Sequence, residues 1–249
     1  MHVTSIQSPK FKTQKTAFYI LLLYVASQFS TFLLLIPPVN DFFFQLVANA
    51  EYPSYTLMAW WNTVAWILVI IISVILISRH QQFFNVFPGK PVSIPISIMW
   101  GVIGFFLVLF GQGIAAQIEI LLLGIEPGSE NTAKIIEITR AAPIMIVSSV
   151  ILAPILEELI FRRVIFGSLI QKQNFWVSAF ISALLFGIVH MELTHIILYT
   201  SMGLIFSFLY YKTKRLMTSI IAHMLLNGFV TILQLNIDKI APLVDAVPK

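Results

Sequence analysis

The chain has no cysteine among its 249 residues, which excludes disulfides, thiolate metal sites and cysteine nucleophiles. Charge is also scarce, since 10% of the residues are charged against roughly 25% in soluble domains. Such a chain cannot cover itself with polar surface, and its 58% hydrophobic content and mean hydropathy of +0.91 indicate a bilayer instead. The net charge of +4 does not indicate a nucleic-acid partner, because the position of the basic residues has another explanation.

Long apolar runs fill most of the chain. A membrane-spanning helix needs about 20 mostly apolar residues. Runs that meet this need lie at about residues 17–36, 57–78, 94–123, 142–171, 175–190, 195–211 and 217–235. The sequence therefore predicts an all-α fold, a polytopic bundle of about seven spanning helices, as one membrane domain of residues 1–249.

The charges divide between the two ends of these helices. One set of loops holds most basic residues, namely Lys10, Lys12, Lys15, Arg79, Lys90, Arg162, Arg163, Lys172, Lys212, Lys214 and Arg215. The other set holds four basic residues, Lys134, Arg140, Lys239 and Lys249, together with acidic residues such as Asp41, Glu51, Glu126, Glu137, Asp238 and Asp245. Because cytoplasmic loops are enriched in Lys and Arg, the N-terminus is predicted inside and the C-terminus outside.

Two adjacent carboxylates, Glu157 and Glu158, lie inside the fourth apolar run. A charged side chain in the middle of a bilayer costs about 2.5–3.5 kcal/mol on insertion scales, so such residues face a bundle interior or a cavity. Glu158 and Arg162 are spaced i,i+4 and can form a structural ion pair on one helix face. Glu157 points about 100° away from Glu158 and is left without that partner. We therefore predict a catalytic acid–base role for Glu157.

Polar side chains in two later runs complete a candidate site. Glu157 and His190 each lie about 22–24 Å along their helices from the basic turn that joins them, and so at one level. His223 and Asn227 share a face of the last helix, where the alternative is simple helix–helix hydrogen bonding. Together the set could activate water and stabilise an oxyanion. A further pair, Glu192 and His195, is expected at the membrane interface rather than in the site.

These motifs resemble those of the CPBP family of intramembrane proteases, which includes the CAAX-prenyl endopeptidases and the bacterial Abi proteins. The resemblance rests on Glu157-Glu158-x-x-x-Arg162, Phe186-x-x-x-His190 and His223-x-x-x-Asn227. It implies a catalytic four-helix core at residues 142–235, with residues 1–141 as accessory helices. It also implies that Glu157 and His190 activate water, that His223 and Asn227 form an oxyanion hole, and that Arg162 pairs with a glutamate.

A cofactor is not required by this set. Glu157, His190 and His223 could hold zinc, but the HExxH pattern is absent and Asn227 suits an oxyanion donor better than a zinc site. We therefore expect a metal-free mechanism, with zinc as the alternative.

The resulting hypothesis is an intramembrane endopeptidase of the bacterial plasma membrane that cleaves a peptide, lipidated or membrane-bound precursor, as in bacteriocin processing. One alternative is a non-enzymatic immunity or scaffold protein of a peptide-secretion system. Another is a proton-coupled transporter, for which no inverted repeat is found.

Overall fold

The computed structural model describes residues 11–240, with side chains from residue 14 onwards. Lys10, Asp245 and Lys249, which entered the prediction of orientation, lie outside the described residues, as does the side chain of Lys12. Within residues 11–240 the chain forms helices and their connections and contains no β-strand. The predicted all-α fold is confirmed.

Four α-helices of different lengths make up the first half of the described chain. They are α1 (Phe11–Phe29), α2 (Pro37–Gln45), α3 (Pro53–Ser78) and α4 (Ile94–Leu123), and a 3₁₀ segment, Ser30–Leu35, extends α1. Proline lies in the first turn of α2, α3 and α4, where its missing N–H has no intrahelical partner to lose. Gly124 ends α4 in the left-handed conformation with φ of 66°, which glycine adopts without steric cost.

The second half of the chain carries the candidate site. Its helices are α5 (Glu130–Ala141), α6 (residues 147–169), α7 (Phe175–Val189), α8 (Ile196–Thr213) and α9 (Leu216–Leu235), with a 3₁₀ turn, Leu193–His195, before α8. Of these, α5 was not predicted from the sequence. It is amphipathic and too short to span a bilayer, and Ser129 caps its N-terminus by accepting a hydrogen bond from the Thr132 N–H.

Helix α6 is not a regular α-helix. It consists of π-helical and α-helical pieces in alternation, Val147–Leu152, Ala153–Glu157, Glu158–Phe166 and Gly167–Leu169. A π turn closes its hydrogen bond one residue later than an α turn, and such turns occur mostly as short insertions at functional sites. The change from α to π falls between Glu157 and Glu158. One of the changes of winding in α6 therefore lies at the two glutamates.

Within residues 11–240, five helical segments are long and apolar enough to cross a membrane. They are Gln14–Leu35, Pro53–Ser78, Ile94–Leu123, Leu193–Thr213 and Leu216–Leu235. The remaining two predicted spans correspond to the interrupted α6 and to α7, which is apolar but only 15 residues long. Large apolar side chains are exposed along α3 and α4, for example Val74 and Phe110. Such side chains suit a lipid environment and fit a multi-pass membrane protein.

Small residues let the helices around the site approach closely. A Cβ atom added to Gly203 of α8 would lie 2.8 Å from the Cα of Ala183 in α7. A Cβ atom on Gly104 of α4 would lie 2.4 Å from a methyl carbon of Leu209 and 3.1 Å from Ala222 of α9. Close packing through small residues is how membrane helices associate when lipid removes the hydrophobic driving force. These contacts bring α4, α7, α8 and α9 together around the candidate site.

Candidate active site

Glu158 is completely buried, and two partners face its carboxylate. The Nε of Arg162 lies 3.3 Å from Glu158 Oε2, which is the predicted i,i+4 ion pair. The Nδ1 of His223 on α9 lies 3.1 Å from Glu158 Oε1. A buried carboxylate is tolerated only when it is paired and hydrogen-bonded, and Glu158 has both kinds of partner. This residue therefore acts inside the protein rather than at its surface.

Arg162 is also completely buried, and it lies among carbonyl and aromatic groups. Its Nη2 donates to the Gly203 carbonyl over 3.4 Å. Its guanidinium carbon lies 4.5 Å from the centre of the Phe186 ring and 5.1 Å from that of Phe206, within the range of cation–π attraction. Arg162 thus joins α6 to α7 and α8 and fixes the position of the Glu158 carboxylate.

His223 lies between the two glutamates. Its Nε2 is 3.7 Å from Glu157 Oε2, while Nδ1 faces Glu158. The imidazole also stacks on Phe206, with ring centres 4.7 Å apart. When both ring nitrogens carry protons, Nδ1 donates to Glu158 and Nε2 directs its N–H towards Glu157 and the cavity. The pairing of His223 with both glutamates was not predicted, because residues on different helices have no spacing in the sequence.

Glu157 differs from Glu158 in its access to a cavity of about 830 Å³. The Glu157 side chain is 16% exposed, and it lines the cavity together with His190, His223 and Asn227. Glu158 and Arg162 are not among the lining residues. The structure therefore brings the four predicted catalytic side chains to one cavity and leaves the two predicted supporting side chains beneath it.

His190 closes α7 at the cavity wall. Its Nδ1 lies 2.7 Å from the Phe186 carbonyl, and its ring stacks on Tyr199 of α8, with centres 4.1 Å apart and planes at 25°. The two named residues of the Phe186-x-x-x-His190 motif therefore contact each other, through the Phe186 carbonyl and through their rings. Tyr199 was not identified from the sequence, where a tyrosine in an apolar helix carries no distinctive pattern.

Asn227 lies one turn after His223 on α9. Its Nδ2 donates to the Ser149 carbonyl of α6 over 2.9 Å. This contact fixes the amide plane and leaves the second N–H and the amide oxygen for other partners. Asn227 therefore combines a structural hydrogen bond with a position on the cavity wall.

The alternative zinc set was Glu157, His190 and His223. Among the described residues, no group of three or more His, Asp or Glu side chains lies close enough together to hold a metal ion. Glu157 and His223 approach each other, but His190 does not join them as a third ligand.

Glu192 and His195, the pair expected at the membrane interface, lie at the 3₁₀ turn between α7 and α8. Both are buried, each at 9% relative exposure. His195 Nδ1 lies 2.8 Å from Glu119 Oε2 on α4, and Glu119 Oε1 accepts from the Leu198 N–H over 3.0 Å. Glu119 therefore joins α4 to the 3₁₀ turn and the start of α8, and His195 lines the cavity.

The sequence of the chain is similar to those of known membrane peptidases. Residues 139–229 match the family described as Rce1-like, type II CAAX prenyl endopeptidase. The putative membrane peptidase YdiL of Bacillus subtilis is 41% identical over 223 residues, which are 90% of this chain and 91% of that protein. The membrane-embedded CAAX protease MroQ of Staphylococcus aureus is 42% identical over 144 residues, which are 55% of this chain and 58% of that protein. No solved structure matches the chain.

The helical bundle, the cavity and these relatives define a membrane protease. The chain belongs to the Rce1-like CAAX prenyl endopeptidase family. It is a multi-pass protein of a bacterial membrane. The family match includes the six residues predicted for the site, and the similarity to YdiL also extends over most of the N-terminal helices.

Proposed function

We propose that the chain is an intramembrane endopeptidase that hydrolyses a peptide bond in a peptide, lipidated or membrane-bound precursor. The observation that carries this proposal is the different surroundings of two adjacent glutamates. Glu157 reaches the cavity, whereas Glu158 is buried against Arg162 and His223. One carboxylate is thus available to a substrate, and the other maintains the site.

The proposed reaction begins with a water molecule held between Glu157 and His190. The Glu157 carboxylate or the His190 imidazole takes a proton from this water while its oxygen bonds to the carbonyl carbon of the substrate. His223 and Asn227 stabilise the oxyanion that forms. The proton then passes to the amide nitrogen, the C–N bond breaks, and a carboxylic acid and an amine are released.

The buried pair supports this chemistry by orienting His223. Glu158 is held by Arg162 and accepts from His223 Nδ1, so the ring direction of His223 is fixed before a substrate arrives, and a protonated Nε2 can donate to the oxyanion. The proposed mechanism uses no metal, because Asn227 on the same face as His223 suits an oxyanion donor better than a zinc ligand.

We propose a peptide precursor as the substrate, such as a bacteriocin or a signalling peptide. The relatives are bacterial, and one of them is described as a CAAX protease. A prenylated protein is a poor candidate in a bacterium, whereas secreted peptides need their leaders removed. The site lies among apolar helices, which suits a peptide that reaches it along the membrane.

The test uses the protein reconstituted in vesicles with a library of membrane-associated peptides, and mass spectrometry identifies the products. Glu157→Gln should lower kcat/KM by at least about 100-fold, because the proton acceptor is lost, while the variant still inserts and folds. Activity of Glu157→Gln equal to that of the wild type would overturn the proposal. A chelator such as EDTA should leave wild-type cleavage unchanged, and restoration of chelated protein by zinc would overturn the metal-free mechanism.

A further inference from the structure

Three hydrogen bonds converge on the Glu192 carboxylate in the loop between α7 and α8. Ser129 Oγ donates to Glu192 Oε2 over 2.7 Å, the Glu130 N–H donates to Oε1 over 2.6 Å, and the Tyr199 hydroxyl donates to Oε2 over 3.0 Å. All three donors point to one buried side chain, and none of them is needed for the reaction described above. This arrangement therefore has a role other than the bond-breaking chemistry.

The donors belong to two different parts of the fold. Ser129 and Glu130 begin α5, which contributes with its preceding loop to the cavity wall. Tyr199 lies in the first turn of α8. The free N–H groups and positive dipole end of α5 favour a carboxylate at this position. Glu192 therefore ties the N-terminus of a cavity-wall helix to α8.

The same tyrosine supports the proposed base. The Tyr199 ring stacks on the His190 ring. The His190 imidazole is also held by the hydrogen-bonding contact of its Nδ1 with the Phe186 carbonyl. A displacement of Tyr199 would remove one face of this support. Tyr199 and the Glu192 carboxylate therefore link the position of α5 to the orientation of His190.

We propose that Glu192 is a positioning residue, a latch that holds α5 against the cavity and, through Tyr199, keeps His190 in its reactive orientation. This inference rests on the proposed function of His190. Opening of α5 to admit a substrate would release Tyr199, and closure would restore the stack, so closure of the cavity and alignment of His190 occur together.

The charge of Glu192 favours this role at neutral pH. Burial by itself raises the pKa of the Glu192 carboxyl, but the hydrogen bonds from Ser129, Tyr199 and the Glu130 N–H outweigh it and hold the pKa below its ordinary value. A carboxylate with a lowered pKa stabilises the folded state above its unfolded pKa, and this contribution is lost as the pH falls through the folded pKa. The latch should therefore stay intact at neutral pH.

The first measurement is steady-state cleavage of a peptide substrate by reconstituted variants. Glu192→Gln places an amide N–H₂ among three donors and should lower kcat by about 10-fold to 100-fold, the scale expected when a reacting group is misplaced. KM should change much less. Glu192→Asp should restore part of kcat, and Asp41→Asn, which removes an exposed acid elsewhere, is the matched control. A Glu192→Gln enzyme with unchanged kcat would overturn the proposal, as would an equal loss in Asp41→Asn.

The Tyr199→Phe variant distinguishes the contribution of the Tyr199 hydroxyl from that of its ring. It removes the bond to Glu192 but keeps an aromatic face for His190, so its kcat should fall in the same direction as that of Glu192→Gln. The double variant should lose no more than the larger single loss, because both changes break one unit. Additive losses would mean that the two residues act separately and would overturn the latch.

The second measurement does not depend on peptidase activity. The chain lacks cysteine, so Val230→Cys on the cavity wall is a single labelling site. A maleimide should label it roughly threefold faster or more when Glu192→Gln is added, because α5 opens more often. Equal rates would overturn the latch. If no peptide is cleaved by the wild type, the proposed function fails while this labelling result still decides whether Glu192 holds α5.

Discussion

At the scale of single residues, Glu157 and Glu158 carry the same carboxylate but lie in different surroundings. Their neighbours in the folded protein determine this difference. Glu158 is paired with a buried arginine and a histidine, whereas Glu157 faces the same histidine and the cavity. The chemistry proposed for Glu157 therefore depends on the burial of its neighbour.

Replacement of Glu158 should test its supporting role. Glu158→Gln removes the ion-pair partner of the fully buried Arg162, and such a loss costs about 3–5 kcal/mol. We expect a clear fall in the melting temperature in detergent and loss of activity. Glu157→Gln is the control, because its partly exposed side chain carries no arginine partner and should lose activity with little change in melting temperature. Equal melting temperatures for the two variants would contradict the assigned roles.

Arg162 and Arg163 are a second pair of adjacent like residues that have different partners. Arg163 was counted with the basic loops in the prediction of orientation. The structure instead buries it, with its guanidinium donating to the Phe83 carbonyl and lying 3.9 Å from the centre of the Phe83 ring. Arg163 therefore fastens the loop after α3 to α6, so it is a poor guide to orientation.

At the scale of helices, the contact between α7 and α8 depends on the absence of a side chain at Gly203. The Gly203 carbonyl also accepts from Arg162 and from the Ser207 hydroxyl. A shift of α8 away from α7 would thus reach the buried ion pair. The site is supported by helix spacing as well as by its own hydrogen bonds.

Gly203→Ala should separate these two helices. The new methyl group would meet Ala183 backbone, and overpacking of this kind costs about 1–3 kcal/mol. Thermal unfolding in detergent would measure the loss, together with reduced cleavage. Gly113→Ala in α4 is the matched control, because no atom lies within 4 Å of its added Cβ. A Gly203→Ala variant as stable as Gly113→Ala would show that the two helices have room to adjust.

At the scale of the whole molecule, the cavity lies towards the acidic end of the bundle. Its wall includes Glu119 and Glu126 near the end of α4 and Lys134 of α5, and the ends of the helices with Arg79, Lys172 and Lys214 lie on the opposite side. With the predicted orientation, the cavity opens outside the cell, so a substrate would reach it after export.

Cysteine labelling of intact cells tests this orientation, and the natural chain has no cysteine to interfere. A membrane-impermeant maleimide should label Asn131→Cys on the cavity side and should not label Gln82→Cys on the basic side until the cells are broken. The opposite pattern would place the cavity on the cytoplasmic face and would contradict the rule-based orientation.

Part of the fold was accessible from the sequence because lipid imposes a simple rule. Backbone groups in a bilayer must be satisfied within helices or closed barrels, so long apolar runs predict helices directly. The helix α5 escaped this rule because it is short and amphipathic. The π turns of α6 also escaped it, since apolar content does not report how a helix winds.

The chain by itself determined an all-helical membrane protein, the i,i+4 pair of Glu158 and Arg162, and the residue types of the site. These are local properties, set by hydropathy and by spacing along one helix. Only the tertiary structure decided that His223 lies between both glutamates, that Asn227 bonds Ser149, and that Glu192 joins α5 to Tyr199. Each of these contacts joins different helices or loops, and such contacts depend on how those elements pack, which no spacing in the sequence records.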